Sequence, residues 1–191
     1  MAHISIIGTG NMGQAIAGIA GKGANTVELF NTSDADKQVT GDIVVLAVPY
    51  PAVEGVLAQR GESLAGKVVV DITNPVDFET FDSLTVAADS SAAADIASSL
   101  PQSRVLKAFN TNFAATLATG KVGDLPTTVL IAGDDADAKA EVAQIVTGGG
   151  LEAIDAGALS RARELEAIGF LQIKLAASEK VSWTGGFGVV A

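Results

Sequence analysis

The sequence predicts an α/β protein with a doubly wound, mainly parallel sheet and a short C-terminal helical extension. Three observations predict this class. Short runs rich in valine and isoleucine alternate with longer segments of helical period, and a glycine-rich turn joins the first run to the first helix. The runs also show little polar alternation, which is typical of parallel strands covered on both faces. A chain of 191 residues can bury one sizeable core of this kind.

Strands and helices are predicted in regular alternation along most of the chain. Strands are expected at residues 4–7, 26–30, 43–48, 68–72, 104–108, 128–131 and 151–154. Helices are expected at residues 11–20, 51–59, 91–100, 113–118 and 135–146, and a last one from 158 to about 178. Residues 31–42 leave room for a single helical turn at best, so one strand of the usual doubly wound half is predicted to be shortened or missing.

The turn after the first strand carries a motif with a physical role. It reads Gly8-Thr9-Gly10-Asn11-Met12-Gly13. In this G-x-G-x-x-G pattern Gly8 makes the tight turn, Gly10 lets the backbone approach a pyrophosphate, and Gly13 lets the helix pack closely on the strand. The N–H groups at the positive end of the helix then bind the pyrophosphate. The motif predicts a Rossmann-type dinucleotide-binding domain over residues 1–157, against the alternative of a glycine turn that binds nothing.

The end of the second strand discriminates between NAD(H) and NADP(H). An NAD-binding chain normally places Asp or Glu there to accept the ribose hydroxyls. This chain instead has three polar residues, Asn31, Thr32 and Ser33. Asp34 and Asp36 weaken the interpretation as a phosphate site, Lys37 favours it, and the segment has no arginine. We therefore expect NADP(H), with NAD(H) as the less favoured ligand. The alternative without a ligand is that residues 31–33 form only a polar turn.

The other strand ends are expected to line the same crevice, because ligands sit outside the carboxyl ends of parallel strands. Proline would end two of these strands and form rigid walls, and asparagine could bond a carboxamide or a substrate. A structural role in a turn is an equal alternative for each position. The residues are Ala47, Val48, Pro49, Thr73, Asn74, Pro75, Ala108 and Asn110.

Composition narrows the classes of partner. The net charge of −10 argues against nucleic acid, whose phosphates such a surface repels on average. The chain has no cysteine and a single histidine, His3, so no metal site is expected. No apolar run reaches roughly 18 residues and no signal segment precedes the first strand, so we expect a cytoplasmic protein without a membrane partner.

Several motifs occur in the order in which one known family has them. They are the glycine turn, TGDIVVLAVPY at 40–50, DITNP at 71–75, KAFNT at 107–111, DAGAL at 155–159 and ARELE at 162–166. Together they resemble, over nearly the whole chain, the deazaflavin-dependent NADP reductases, which use coenzyme F420, and the related reductase domains of the STEAP metalloreductases. The resemblance implies a homodimer and hydride exchange between NADP(H) and a flavin-like ring. It also implies that residues 158–191 form a helix and tail packed on the domain or on a second subunit.

The resemblance carries over residue by residue. Thr9 matches the family's loop threonine, while Asn31 and Thr32 fall where the family places a serine and an arginine on the 2′-phosphate. Asn110 falls near the position of a histidine beside the nicotinamide. This chain therefore lacks both the family's arginine and its histidine.

The reaction is predicted from what the crevice lacks. Hydride transfer to a flavin-like ring needs proximity more than acid–base help, and a crevice without histidine or cysteine suits it. Lys107 is either a candidate base or an exposed lysine at a strand end, and no catalytic residue is assigned. The chain is thus predicted to be an oxidoreductase that transfers hydride between NADPH and a small flavin- or deazaflavin-like acceptor. The alternative is a non-enzymatic NADP(H)-binding sensor.

Overall fold

The computed structural model describes residues 1–190, and its centre is a seven-stranded sheet. The strands lie side by side in the order β2-β1-β3-β4-β5-β8-β9. A two-stranded hairpin, β6–β7, stands apart from the sheet. The bounds are β1 His3–Ile7, β2 Thr26–Phe30, β3 Ile43–Leu46, β4 Val68–Asp71, β5 Arg104–Lys107, β6 Lys121–Val122, β7 Leu125–Pro126, β8 Thr128–Gly133 and β9 Glu152–Gly157.

Within residues 1–190, six α-helices accompany the strands. Helices α1, α4 and α5 pack on one face of the sheet and α2 and α3 on the other, so that two separate apolar layers form. The central strands β3 and β4 are buried along their whole length, as expected for valine- and isoleucine-rich runs covered on both faces. The bounds are α1 Asn11–Lys22, α2 Tyr50–Arg60, α3 Ala92–Ser99, α4 Ala114–Thr119, α5 Ala136–Gly148 and α6 Ala162–Ala177.

The predicted fold class is confirmed, including the short second crossover. Between β2 and β3 the chain makes only a single 3-10 turn, Thr32–Asp34. Strand β2 is consequently the edge of the sheet within residues 1–190. Strands β1 to β5 are parallel to one another, whereas β8 pairs antiparallel with β5 and parallel with β9.

The C-terminal segment begins with a 3-10 turn, Leu159–Arg161, and continues as α6, which packs against α3. The tail that follows is neither helix nor strand up to residue 190, and residue 191 of the predicted extension lies outside the described residues. Gln172 of α6 holds the tail, because its Oε1 accepts a hydrogen bond from the Phe187 backbone N–H at 3.0 Å. No helix among residues 1–190 combines the length and apolar character needed to cross a membrane.

Candidate functional site

The order of strands reverses at β1, since β2 lies on one side of it and β3 on the other. Crevices at such switch points, outside the carboxyl ends of the strands, bind ligands in open α/β sheets. The glycine turn lies at this point. A Cβ on Gly8, whose φ is +121°, would stand 2.0 Å from the carbonyl oxygen of Ala47, and one on Gly13 would stand 2.1 Å from that of Gly8. Both positions therefore require glycine for packing.

Gly10 differs from these two glycines. A Cβ there would meet nothing within 4 Å, and the residue is exposed at the N-cap of α1. No side chain caps the helix, so the first N–H groups of α1 are left for another acceptor. Packing therefore does not account for glycine at position 10, and the space beside its backbone is open to a ligand.

A cavity of about 320 Å³ extends from the glycine turn towards the edge strand β2. The predicted site residues Gly8, Thr9, Asn31, Thr32 and Val48 line it. Gln59 and Arg60, which the sequence analysis did not select, line it as well.

The polar turn after β2 has an ordered network of hydrogen bonds. Asn31 Oδ1 accepts from the backbone N–H of Ser33 at 2.7 Å and from its hydroxyl at 2.6 Å. Asp34 turns inward and is only 8% exposed. Its carboxylate accepts from the Asn31 backbone N–H at 2.9 Å and pairs with Lys37 Nζ at 2.5 Å. These two contacts hold the pKa of Asp34 below its ordinary value. The negative charge of Asp34 is therefore paired with groups of the turn itself.

A second cavity, of about 480 Å³, lies on the other side of Val48, which lines both. Thr73 is 3% exposed, and its hydroxyl has no hydrogen-bond partner among the described residues. A buried hydroxyl without a partner in a cavity wall is available to a ligand's polar group. The predicted residues that line this cavity are Gly10, Asn11, Met12, Ala47, Val48, Pro49, Thr73 and Asn74.

The remaining predicted residues lie beside these cavities and do not line them. Asn110 lies behind Asn74: its Nδ2 donates to Asn74 Oδ1 at 3.0 Å and to the Leu165 carbonyl at 2.9 Å. Pro75 and Ala108 are buried, and Ser33 is exposed on the turn. A direct contact of these four residues with a cofactor stays a prediction.

The structure contradicts both expectations for Lys107, which is neither exposed nor available as a catalytic base. Its side chain is fully buried, and Nζ lies 2.7 Å from Asp71 Oδ2 and 2.8 Å from Glu166 Oε1. Nζ also donates to the carbonyl of Thr73 at 2.6 Å. Every proton of the ammonium group has an acceptor, so Lys107 braces the Asp71–Thr73 turn beside the second cavity.

Glu166 completes this buried charge cluster from α6. Its oxygens accept from the backbone N–H groups of Ala92 and Ala93, at 2.9 and 3.3 Å, at the start of α3. Burial raises the pKa of Glu166, and the ammonium of Lys107 offsets part of that rise. The cluster ties together β4, β5, α3 and α6.

Four further residues line the second cavity and were not predicted as site residues: Ile72, Tyr50, Phe78 and Ile173. Tyr50 directly follows Pro49, so the strand-end rule extended by one residue would have found it. Burial and the neighbouring carboxylate of Asp95 raise the pKa of the Tyr50 phenol. Phe78 is 52% exposed at the mouth of the cavity, and Ile173 comes from α6. No local sequence signal marks these last two.

Two other features bear on ligand binding. A larger cavity of about 610 Å³ lies at the amino ends of the strands, around Asp42, Lys67 and Arg104, away from the switch point. The glycine turn and the unpartnered threonine are at the carboxyl ends, so we place the site there. Among residues 1–190 no group of histidine, cysteine or carboxylate side chains could hold a metal ion.

Comparison with known proteins gives consistent results. Residues 20–75 match the family model described as NADP oxidoreductase, coenzyme F420-dependent. The chain is 30% identical over 162 residues to the F420-dependent NADP reductase of Methanocaldococcus jannaschii, and the match covers 83% of this chain and 72% of that protein. It is 29% identical over 180 residues to the metalloreductase STEAP3 of Rattus norvegicus, of which it spans only 36%.

The fold is also similar to that of a crystal structure from Arthrobacter sp. FB24, provisionally described as an F420-dependent NADP reductase. The TM-score is 0.86 at 26% sequence identity, and each chain is covered completely. The similarity thus includes the C-terminal helix and tail as well as the sheet.

Proposed function

The chain belongs to the family of coenzyme F420-dependent NADP oxidoreductases, and on this basis we propose that it exchanges hydride between NADP(H) and coenzyme F420 in the crevice around Val48. The chain is an NADP-dependent oxidoreductase with a Rossmann-type fold. The observation that carries the proposed location is the open backbone at Gly10, at the topological switch point of the sheet.

The residues present fit a bound dinucleotide. The N–H groups at the start of α1 would hold the pyrophosphate, and the turn of Asn31, Thr32 and Ser33 would hold the 2′-phosphate. At the other end, the unpartnered hydroxyl of Thr73 and the amide of Asn74 would bond the nicotinamide carboxamide. Pro49 would form one wall beside the ring.

The second cavity suits a planar acceptor ring. Met12, Tyr50, Phe78 and Ile173 give it largely apolar walls. When bound, the dinucleotide and the deazaflavin supply the hydride chemistry, and the chain contributes binding, orientation and the exclusion of water. The wall of this cavity, as the structure describes it, has no histidine and no lysine that could act as an acid or a base. Lys107 is bound in the buried cluster with Asp71 and Glu166, so the chain's contribution by binding and orientation agrees with this wall.

A steady-state assay tests the proposal. NADPH oxidation is followed with coenzyme F420, free flavin and a ferric chelate as alternative acceptors. We expect turnover with coenzyme F420 to exceed that with the other two. Tight NADPH binding without turnover on any acceptor would favour the non-enzymatic sensor, which the family membership does not support.

We also propose that two copies of the chain associate and that residues 158–190 pack on the dinucleotide-binding domain of residues 1–157. Ile168 and Leu171 of α6 are 36% and 50% exposed, and exposed apolar side chains on one helix favour an interface with a second copy. Light scattering should give twice the chain mass of 19.2 kDa, and Leu171→Glu should halve it. A wild-type monomer would contradict the interface.

A cytoplasmic location is proposed as well, because the chain has no cysteine and would draw on nicotinamide cofactors held inside the cell. Fractionation of cells with an antibody against the chain tests this location. Recovery in the extracellular fraction would contradict it.

A further inference from the structure

Arg60 is a buried arginine with an unusual position. It is the last residue of α2, is 7% exposed, and lines the same cavity as Thr9, Asn31 and Thr32. In the sequence it stands 28 residues after Thr32, on a different element. Residues 31–42 contain no arginine, so no local pattern marks Arg60 as a neighbour of the phosphate turn.

The guanidinium of Arg60 donates hydrogen bonds to backbone carbonyls of the polar segment after β2. Nη1 donates to the Lys37 carbonyl at 2.6 Å, and Nη2 donates to the Asp34 carbonyl. The same group lies over the Phe30 ring, 5.1 Å from its centroid, at the end of β2. These contacts hold the backbone that follows the turn of residues 31–33, at Asp34 and Lys37, and the side chain of Phe30 that precedes it.

The charge balance of the turn depends on Arg60. Asp34 and Asp36 carry two negative charges, and Lys37 is the one cation that the turn itself supplies. Lys37 is already paired with Asp34 at 2.5 Å. Without Arg60 the turn would have a net negative charge and would repel a phosphate. With Arg60 the charges cancel, and the donors of Asn31, Thr32 and Ser33 act without opposition.

We infer that Arg60 is the specificity-determining residue for NADP(H) in this chain and replaces, from helix α2, the arginine that position 32 lacks. It acts by charge and by holding the phosphate turn, and no contact with the phosphate itself is required. This inference rests on the proposed function, and it concerns only the preference for the 2′-phosphate.

Dissociation constants for NADPH and NADH, measured by fluorescence titration, test the inference. Arg60→Met should weaken NADPH binding about tenfold or more while NADH binding changes less than about threefold. Arg60→Lys should keep part of the preference, and Thr32→Arg in the Arg60→Met background should restore it. Arg104→Met, which removes an arginine at the opposite end of the sheet, is the matched control and should bind as wild type.

Adenosine 2′-phosphate provides a second readout. It should compete with NADPH in the wild type and lose this ability in Arg60→Met. An equal loss of NADPH and NADH affinity in Arg60→Met, or an unchanged ratio, overturns the inference and leaves the proposed function intact.

Arg60 is buried, so Arg60→Met could fail to fold, and Lys37→Met provides a second variant. The Lys37 side chain is 71% exposed, so its replacement should leave the fold intact. Lys37→Met removes one positive charge but leaves the hydrogen bonds of Arg60 to the turn, so the inference requires that this variant keep part of the preference for NADPH. Complete loss of the preference in Lys37→Met overturns the role of Arg60. A wild-type chain that binds neither dinucleotide overturns the proposed function itself.

Discussion

Gly10 and Gly18 each leave open space where a Cβ would stand, but only Gly10 lies at the proposed pyrophosphate site. Its φ of −71° is accessible to alanine, so Gly10→Ala should fold normally. We expect this variant to bind NADPH about tenfold or more weakly, because its methyl group occupies the space through which the phosphate approaches the backbone. Fluorescence titration measures the change.

Gly18→Ala is the control for that variant. Gly18 is exposed in the interior of α1, where alanine should stabilise the helix by about 0.5–1 kcal/mol and leave NADPH binding unchanged. If Gly10→Ala binds NADPH as tightly as Gly18→Ala does, the pyrophosphate does not lie at this turn.

Lys107 shows how one buried residue holds the wall of the second cavity. Lys107→Met leaves the carboxylates of Asp71 and Glu166 facing each other without their shared cation. We expect the free energy of unfolding at pH 7 to fall by about 3–5 kcal/mol, as when one partner of a buried ion pair is removed. Urea unfolding gives this value.

The pH dependence of the Lys107→Met defect has a definite sign. Burial raises the pKa of Glu166 and the ammonium of Lys107 lowers it, so Lys107→Met raises this pKa further. The folded variant therefore gains more stability than the folded wild type as the pH falls through that pKa. The defect should therefore be smaller at pH 5 than at pH 7. Lys121→Met, at an exposed position, should change stability by less than about 0.5 kcal/mol, and an equally small effect at position 107 would contradict the assigned cluster.

At the scale of the elements, the edge strand β2 is held by Glu28. Its Oε1 accepts hydrogen bonds from the hydroxyl of Ser5 on β1 at 2.5 Å and from the hydroxyl and backbone N–H of Thr40 at 2.9 and 3.1 Å. Burial raises the pKa of Glu28, but these hydrogen bonds outweigh it and hold the pKa below its ordinary value. The carboxylate thus ties β2 to β1 and to the loop that precedes β3.

The lowered pKa of Glu28 predicts acid sensitivity. Its stabilisation is fully present above the unfolded pKa, near 4.3, and is lost as the pH falls through the lower folded pKa. Glu28→Gln should lower the free energy of unfolding at pH 7 by about 1–2 kcal/mol and should flatten the loss of stability below about pH 4. Urea unfolding from pH 3 to pH 7 measures both effects. Glu54→Gln, exposed on α2, is the control, and identical acid profiles for the two variants would contradict the role of Glu28.

The elements themselves could largely be predicted, because hydrophobic periodicity and glycine stops are local properties. All six helices lie where that pattern places them, and the short crossover followed from the length of residues 31–42. The antiparallel pairing of β8 with β5 was not predicted, since a buried apolar run such as Thr128–Gly133 reads the same in either direction. The two-residue strands of the β6–β7 hairpin are too short to produce a pattern.

For the molecule as a whole, the residues that line the crevice fall into two groups, those at the ends of strands and those that come from helices. Those at strand ends could be predicted, because the carboxyl ends of parallel strands meet at one edge. Arg60 and Ile173 could not, since each reaches the crevice from the end or the side of a helix, through packing that no local pattern encodes. The burial of Lys107 was likewise hidden, because its acceptors Asp71 and Glu166 lie 36 and 59 residues away in the chain.

Direct hydride exchange in the crevice around Val48 is tested most directly by an isotope experiment. The protein is mixed with coenzyme F420 and NADPH deuterated at both C4 positions of the nicotinamide, and the reduced deazaflavin is analysed by mass spectrometry. We expect one deuterium in the reduced ring, because the nicotinamide and the deazaflavin would lie together in the second cavity, close enough for direct hydride transfer. Reduced deazaflavin that carries only solvent hydrogen would contradict the account.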